Sequence, residues 1–141
     1  MDIEQIYKFL IEEQGVKRSK LSAHSDLRND LGVEGDDFSE LIESFAEKYH
    51  VNMDSYRWYF HHGEEGWNIG ALFFRPPYDQ VETIGICPQI LLDAAKSRKW
   101  PIRYPEHQLT EGRPDITFNK VFLVGIVIFG GAIWLLNKFS A

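Results

Sequence analysis

The sequence has a single cysteine, Cys87, so no disulfide can close within the chain and nothing marks it for an oxidising compartment. It also lacks a glycine-rich phosphate loop, a Gly-x-Ser-x-Gly elbow and a His-Glu-x-x-His pair, the local signatures of nucleotide hydrolysis, acyl transfer and zinc proteolysis. His61 and His62 are adjacent, but no cysteine or third spaced histidine accompanies them, and no metal site is assigned. Cys87 stands directly before Pro88 and reads as a helix-start residue, not a nucleophile. Asp36 and Asp37 make a poor general acid/base pair or cation site, because adjacent helical side chains point about 100° apart. No cofactor is expected.

Basic charge is scarce where acid is plentiful. The net charge is -6, with fifteen acidic and seven basic side chains from Met1 to Glu65 against six and eight in the remainder. An acidic surface is repelled by nucleic-acid phosphates and anionic headgroups, which argues against nucleic acid as a partner and for a protein with a basic surface patch.

What the chain does have is one long apolar run. Residues 121–136 contain no charged or amide side chain. As a helix this stretch rises roughly 24 Å, somewhat less than a hydrocarbon layer of about 30 Å. Lys120 and Lys138 bracket it and can extend to the two interfaces, with Phe118, Trp134 and Phe139 near headgroup depth. A transmembrane helix is therefore expected over residues 120–138, with the lipid bilayer as its partner. Arg103, Arg113 and Lys120 precede the run and only Lys138 follows it, so the positive-inside bias places the preceding domain in the cytoplasm, in the manner of a tail anchor. Residues 1–100 are expected to form one small domain and residues 101–119, polar and proline-containing, a linker.

Within the domain, Ile3, Ile6, Tyr7, Leu10 and Ile11 share one helical face, which Asp2 can cap and Gly15 can end. A polar loop and a short turn from Ser25 to Gly32 follow. The second helix is sharply two-faced: Phe38, Leu41, Ile42, Phe45, Ala46 and Tyr49 fall on one arc, and Asp36, Glu40, Glu43 and Glu47 lie opposite. Asp36 or Asp37 at its start complements the positive end of the helix dipole. Residues 54–60 read as a short helix that inserts aromatics beneath the second. Residues 71–84, with Pro76 and Pro77 between apolar clusters, read as a strand pair or an irregular insert. Pro88 opens a last helix before the linker, with Ile90, Leu91, Ala94 and Ala95 inward.

This order of elements meets a motif in Asp30-Leu31-Gly32-Val33-Glu34-Gly35-Asp36-Asp37-Phe38-Ser39-Glu40-Leu41. It resembles acyl carrier proteins, whose Asp-Leu-Gly-x-Asp-Ser-Leu motif precedes an acidic recognition helix. It resembles still more an uncharacterised bacterial family of acyl-carrier-like proteins, with Gly-Asp-Asp at that place, a Thr-x-Gly segment (here Thr83-Ile84-Gly85) and a helix ending in Arg/Lys-Trp-Pro (here Arg98-Lys99-Trp100-Pro101). The resemblance runs from about Ile3 to Pro101. It implies a mainly α, acyl-carrier-like helical bundle with a small irregular or β insert, to which the transmembrane helix is added.

The departure from the carrier motif is informative. Aligned without a gap, Glu34 stands for its Asp, Gly35 for the serine that accepts phosphopantetheine, and Asp36 for its Leu. Phosphopantetheine is attached through a serine oxygen, and Gly35 has none. Ser25 and Ser39 are the nearest hydroxyls, one in the preceding loop and one a turn inside the helix. The expected function is a non-catalytic, membrane-tethered module at a bacterial inner membrane, docking through Asp36, Asp37, Glu40, Glu43 and Glu47. Three alternatives stay open: a carrier modified at an unusual serine, an immunity-type membrane protein that binds a toxin, and a structural subunit whose tail packs through Gly125, Gly130, Gly131 and Ala132.

Overall fold

The computed structural model describes residues 1–140. Among them the regular elements are all helical: α1 (Ile3–Gln14), α2 (Gly35–Tyr49), α3 (Pro88–Ser97) and α4 (Pro114–Ser140), with 3-10 turns at Arg18–Lys20, Trp58–Phe60, Gly70–Leu72 and Pro77–Asp79. The chain divides into two compact units, Met1–Glu65 with Val81–His107, and Gly66–Gln80 with the chain from Gln108 onward.

In the first unit each helix ends where its local chemistry says it must. Asp2 accepts the Gln5 N–H at 3.2 Å, while the Gln5 side chain accepts the Asp2 N–H at 3.0 Å, a reciprocal cap that satisfies two backbone donors at the start of α1. Gly15, in the left-handed conformation at φ 63°, closes that helix by donating to Ile11. α2 stops at His50, also left-handed, and Val51 N–H reaches back to Ala46 O at 3.0 Å.

α1 packs on α2 and α3 around a core in which Ile6, Leu10, Leu41 and Leu91 are fully enclosed. Phe9, Phe45 and Tyr49 form an aromatic triangle with ring centroids 5.1–6.0 Å apart. The turn between α1 and α2 is organised by Asp26. Its carboxylate accepts the N–H groups of Arg28 and Asn29, and its carbonyl accepts those of Asp30 and Leu31. Leu27 and Leu31 are thereby turned into the core ahead of α2.

Where the sequence suggests a helix over residues 54–60, only Trp58–Phe60 forms a 3-10 turn. Asn52 caps the Asp54 N–H and Tyr56 N–H bonds to Met53 O, so side-chain and turn hydrogen bonds replace the helical ones. No strand forms among described residues 71–84, and the irregular form of the insert is the one adopted. Pro76 and Pro77 carry no N–H for a ladder.

Residues 101–119, read from composition as a linker, are not uniform. Ile102 and Tyr104 pack on the core of the first unit, and residues 114–119 are already helical. In the second unit, the turn Gly70–Leu72 lies against the beginning of α4. α4 has 27 residues and contains an 18-residue window with a mean hydropathy of 2.0, so it is long and apolar enough to cross a membrane. From Lys120 to Ser140 its side chains are exposed.

Candidate functional site

The start of α2 gathers the residues that the sequence singles out. The dipole of a fifteen-residue helix points its positive end at Asp36 and Asp37 in the first turn. Asp36, Asp37, Glu40, Glu43 and Glu47 are all exposed, and among the described residues none of the five makes an ion pair. The neighbouring charges are engaged elsewhere: Lys48 with Glu12 at 3.9 Å and Arg28 with Glu34 at 3.2 Å. The opposite face of the same helix, with Phe38, Leu41, Ile42 and Phe45, is buried.

Gly35 is constrained by both its backbone and its surroundings. It is buried, it holds φ 55°, and a Cβ on it would run into the side chain of Glu65. A side chain at this position would therefore have to displace that of Glu65, thirty residues away in sequence. Ser25 is also committed: buried, its hydroxyl donates to Lys20 O at 2.8 Å and accepts the Ser22 N–H at 2.9 Å. Ser39 is half-buried beside Asp36.

Next to Asp36 lies a recess of about 260 Å³ lined by Asp36, Ser39, Trp58, His62, Gly63 and Glu64. The His62 ring stacks on Phe38 at 4.9 Å and donates from Nδ1 to Gly63 O at 2.7 Å. With the proton on Nδ1, Nε2 is a buried acceptor that has no hydrogen-bond partner. Burial holds the His62 imidazole below its ordinary pKa; Arg28 pushes the same way, while Glu64 and Asp36 oppose it. Two acidic residues, a serine, a histidine and a tryptophan line the recess, a set that suits a hydrogen-bond donor carrying positive charge.

His61 has a structural role. Its Nδ1 donates to Ile84 O at 2.7 Å and its Nε2 accepts the Tyr104 hydroxyl proton at 2.7 Å. Tyr104 in turn accepts from Trp100 Nε1 at 2.8 Å and from the Arg57 N–H at 3.2 Å. Both imidazole nitrogens are therefore occupied, and burial lowers the His61 pKa from 6.5 to about 4. The sequence places the aromatics of residues 54–60, Trp58 among them, beneath the second helix, but does not reveal His62 and Glu65 as neighbours of α2. The doubled histidine was the one available signal, and it pointed to metal chemistry instead.

No solved structure matches this chain. The acyl carrier protein of Trieres chinensis is 39% identical over 46 residues, which is 32% of this chain and 58% of that protein. Residues 1–102 match the profile of a family described as a protein of unknown function, DUF1493. With most of its length inside that match, the chain belongs to the DUF1493 family.

Proposed function

We propose that this protein is a non-catalytic, membrane-tethered interaction module that docks the acidic face of α2 on a basic patch of a partner protein. The observation that carries the reading is the row of exposed carboxylates that make no ion pair among the described residues, running from the N-terminus of α2; the reading aligns Gly35 at that N-terminus with the carrier serine. A carrier-type scaffold with that position blocked retains recognition and loses covalent transport. The recess beside Asp36, lined with acceptors, supports the same sign of partner. Opposite charge on the partner raises the encounter rate and sets register, while a salt-screened rim contributes less to affinity.

α4 supplies the tether in this reading. Basic side chains at Arg103, Arg113 and Lys120 precede its apolar stretch, and the proposal places the α2 domain on the cytoplasmic face of a bacterial inner membrane. Confinement to one surface raises the local concentration for a membrane partner without any new contact. Phosphate-rich nucleic acid is disfavoured by the same acid that favours a basic protein.

The experiment uses the full chain in detergent extracts, with a carbodiimide that joins carboxylates directly to contacting lysines. Native protein is expected to form crosslinks from Glu40, Glu43 or Glu47 to lysines of a recovered protein, weakening as salt is raised. A variant with Glu40→Lys, Glu43→Lys and Glu47→Lys is expected to lose them. Recovery of the same proteins by both forms would overturn the docking reading. Intact mass after co-expression with a phosphopantetheinyl transferase tests the absence of loading, since a gain of one arm would refute it.

A further inference from the structure

The second unit exchanges the usual places of polar and apolar groups. Its buried charged side chain is Asp115, held by Arg113 through two hydrogen bonds of 3.0 and 2.7 Å and by Asn68 at 3.0 Å. Asn119 accepts the Gly70 N–H at 2.7 Å and donates to Asn68 at 2.8 Å. Gly70 fits because it has no Cβ: one there would collide with the Asp115 backbone. These ties fasten the segment carrying the Gly70–Leu72 turn to the first turns of α4.

Fastened in this way, the segment presents Trp67, Leu72, Phe73 and Phe74 outward, 60%, 79%, 66% and 42% exposed. Phe73 lies 4.9 Å from Phe118, and Trp67 lies 6.4 Å from Phe122, so the rings continue into the apolar surface of α4. Burying such side chains away from water is strongly favourable, and a loose loop would fold several inward. Here a polar clamp holds them out.

The backbone of the turn is equipped for a medium without water. The N–H groups of Gly70 and Ala71 go to Asn119 and Asn68, those of Leu72 and Phe73 to Ile69 O and Gly70 O, and that of Phe74 to Gly70 O. Non-helical backbone tolerates a lipid environment only when its polar groups are satisfied.

We propose that residues 67–74 form an aromatic foot that enters the boundary between headgroups and acyl chains of a phospholipid bilayer, beside the start of α4. This rests on reading α4 as a membrane span. Continuity with the apolar face of α4 selects lipid as the occupant, and aromatic rings at the polar–apolar junction are the residues that such a boundary favours. The foot also serves the short apolar stretch: with Phe118 and Phe122 it widens the lipid-facing belt on one side and fixes the depth and rotation of the helix.

The test labels the full chain biosynthetically with fluorotryptophan, reconstitutes it in phosphatidylcholine/phosphatidylglycerol nanodiscs and follows fluorine NMR, with Trp67→Phe and Trp134→Phe assigning two resonances. Lipids spin-labelled near the headgroup are expected to broaden the Trp67 signal more than lipids labelled at the chain end. Broadening of Trp134 with Trp67 unaffected would overturn the foot and leave the span standing. Broadening of neither would overturn both, and Trp67 shielded from lipid and soluble relaxation agents alike would assign the surface to a protein contact instead.

Discussion

The two units of this chain solve opposite problems. In the first, Phe9, Phe38, Phe45 and Leu10 are enclosed and Glu40, Glu43 and Glu47 face outward. In the second, Asp115 is enclosed with Arg113, Asn68 and Asn119 packed around it, while Trp67, Leu72 and Phe73 face outward. A fold stabilised by removing hydrocarbon from water looks like the first. The second keeps its polar groups paired with one another and displays hydrocarbon, as suits a surrounding medium that is itself apolar. The contrast supports the proposed division of labour, in which one unit meets a protein and the other meets a bilayer.

The comparison can be broken most severely through the core of the first unit. Phe45→Ala is expected to cost about 3–5 kcal/mol through lost burial and a residual cavity. Denaturant unfolding followed by near-ultraviolet circular dichroism should register that loss, while detergent partitioning of the chain through α4 stays unchanged. Concerted loss of both properties would show that the units do not behave independently.

Acid should also act on the first unit. The unfolded chain protonates His61 below about pH 6.5, whereas the folded chain resists until about pH 4, so the unfolded state binds the extra proton in that window. The His61 contribution to stability is expected to be level above pH 6.5 and to fall by about 1.4 kcal/mol per pH unit below it, up to about 3 kcal/mol by pH 4. His61→Gln should flatten that part of the profile, measured as denaturation midpoint against pH.

In the second unit the sharpest probe is Gly70→Ala. Its methyl meets the Asp115 backbone, which cannot give way as a flexible side chain would, and a cost of about 1–3 kcal/mol is expected for the clamp. Hydrogen exchange should quicken at Ala71 and Phe74 and remain unchanged at the core of α1.

A smaller effect tests the crowding at Gly35. Gly35→Ser is expected to cost about 1–2 kcal/mol, from left-handed strain together with displacement of Glu65. Adding Glu65→Ala should restore part of this and leave the backbone term. Full recovery in the double variant would show that the conformation at Gly35 is not a constraint.

Much of the first unit is legible because local chemistry and the final packing agree. Asp2, Gly15 and the spacing of Ile6, Leu10, Phe38, Leu41 and Phe45 mark α1 and α2, and the acidic face follows from the same periodicity. Other features were out of reach of such patterns. Ile102 and Tyr104 join the core from a stretch whose prolines and charges suggest a linker, because two inward side chains set no period. The doubled histidine divides into a structural His61, with both nitrogens engaged, and a His62 that opens on the recess beside Asp36. Adjacency in sequence says nothing of where each ring turns.

The sequence alone specified the helical content, the two-faced α2 with Asp36, Asp37, Glu40, Glu43 and Glu47, and the apolar run in α4. These depend on residue type and on a period of 3.6, both written along the chain. Only the tertiary structure decided that Glu65 fills the space over Gly35, that Asn68 and Asn119 clamp Gly70, and that Trp67 and Phe73 are held outward beside Phe118. Those facts belong to residues thirty or more positions apart, or to hydrogen bonds closed across a turn, and no local rule carries information over that distance.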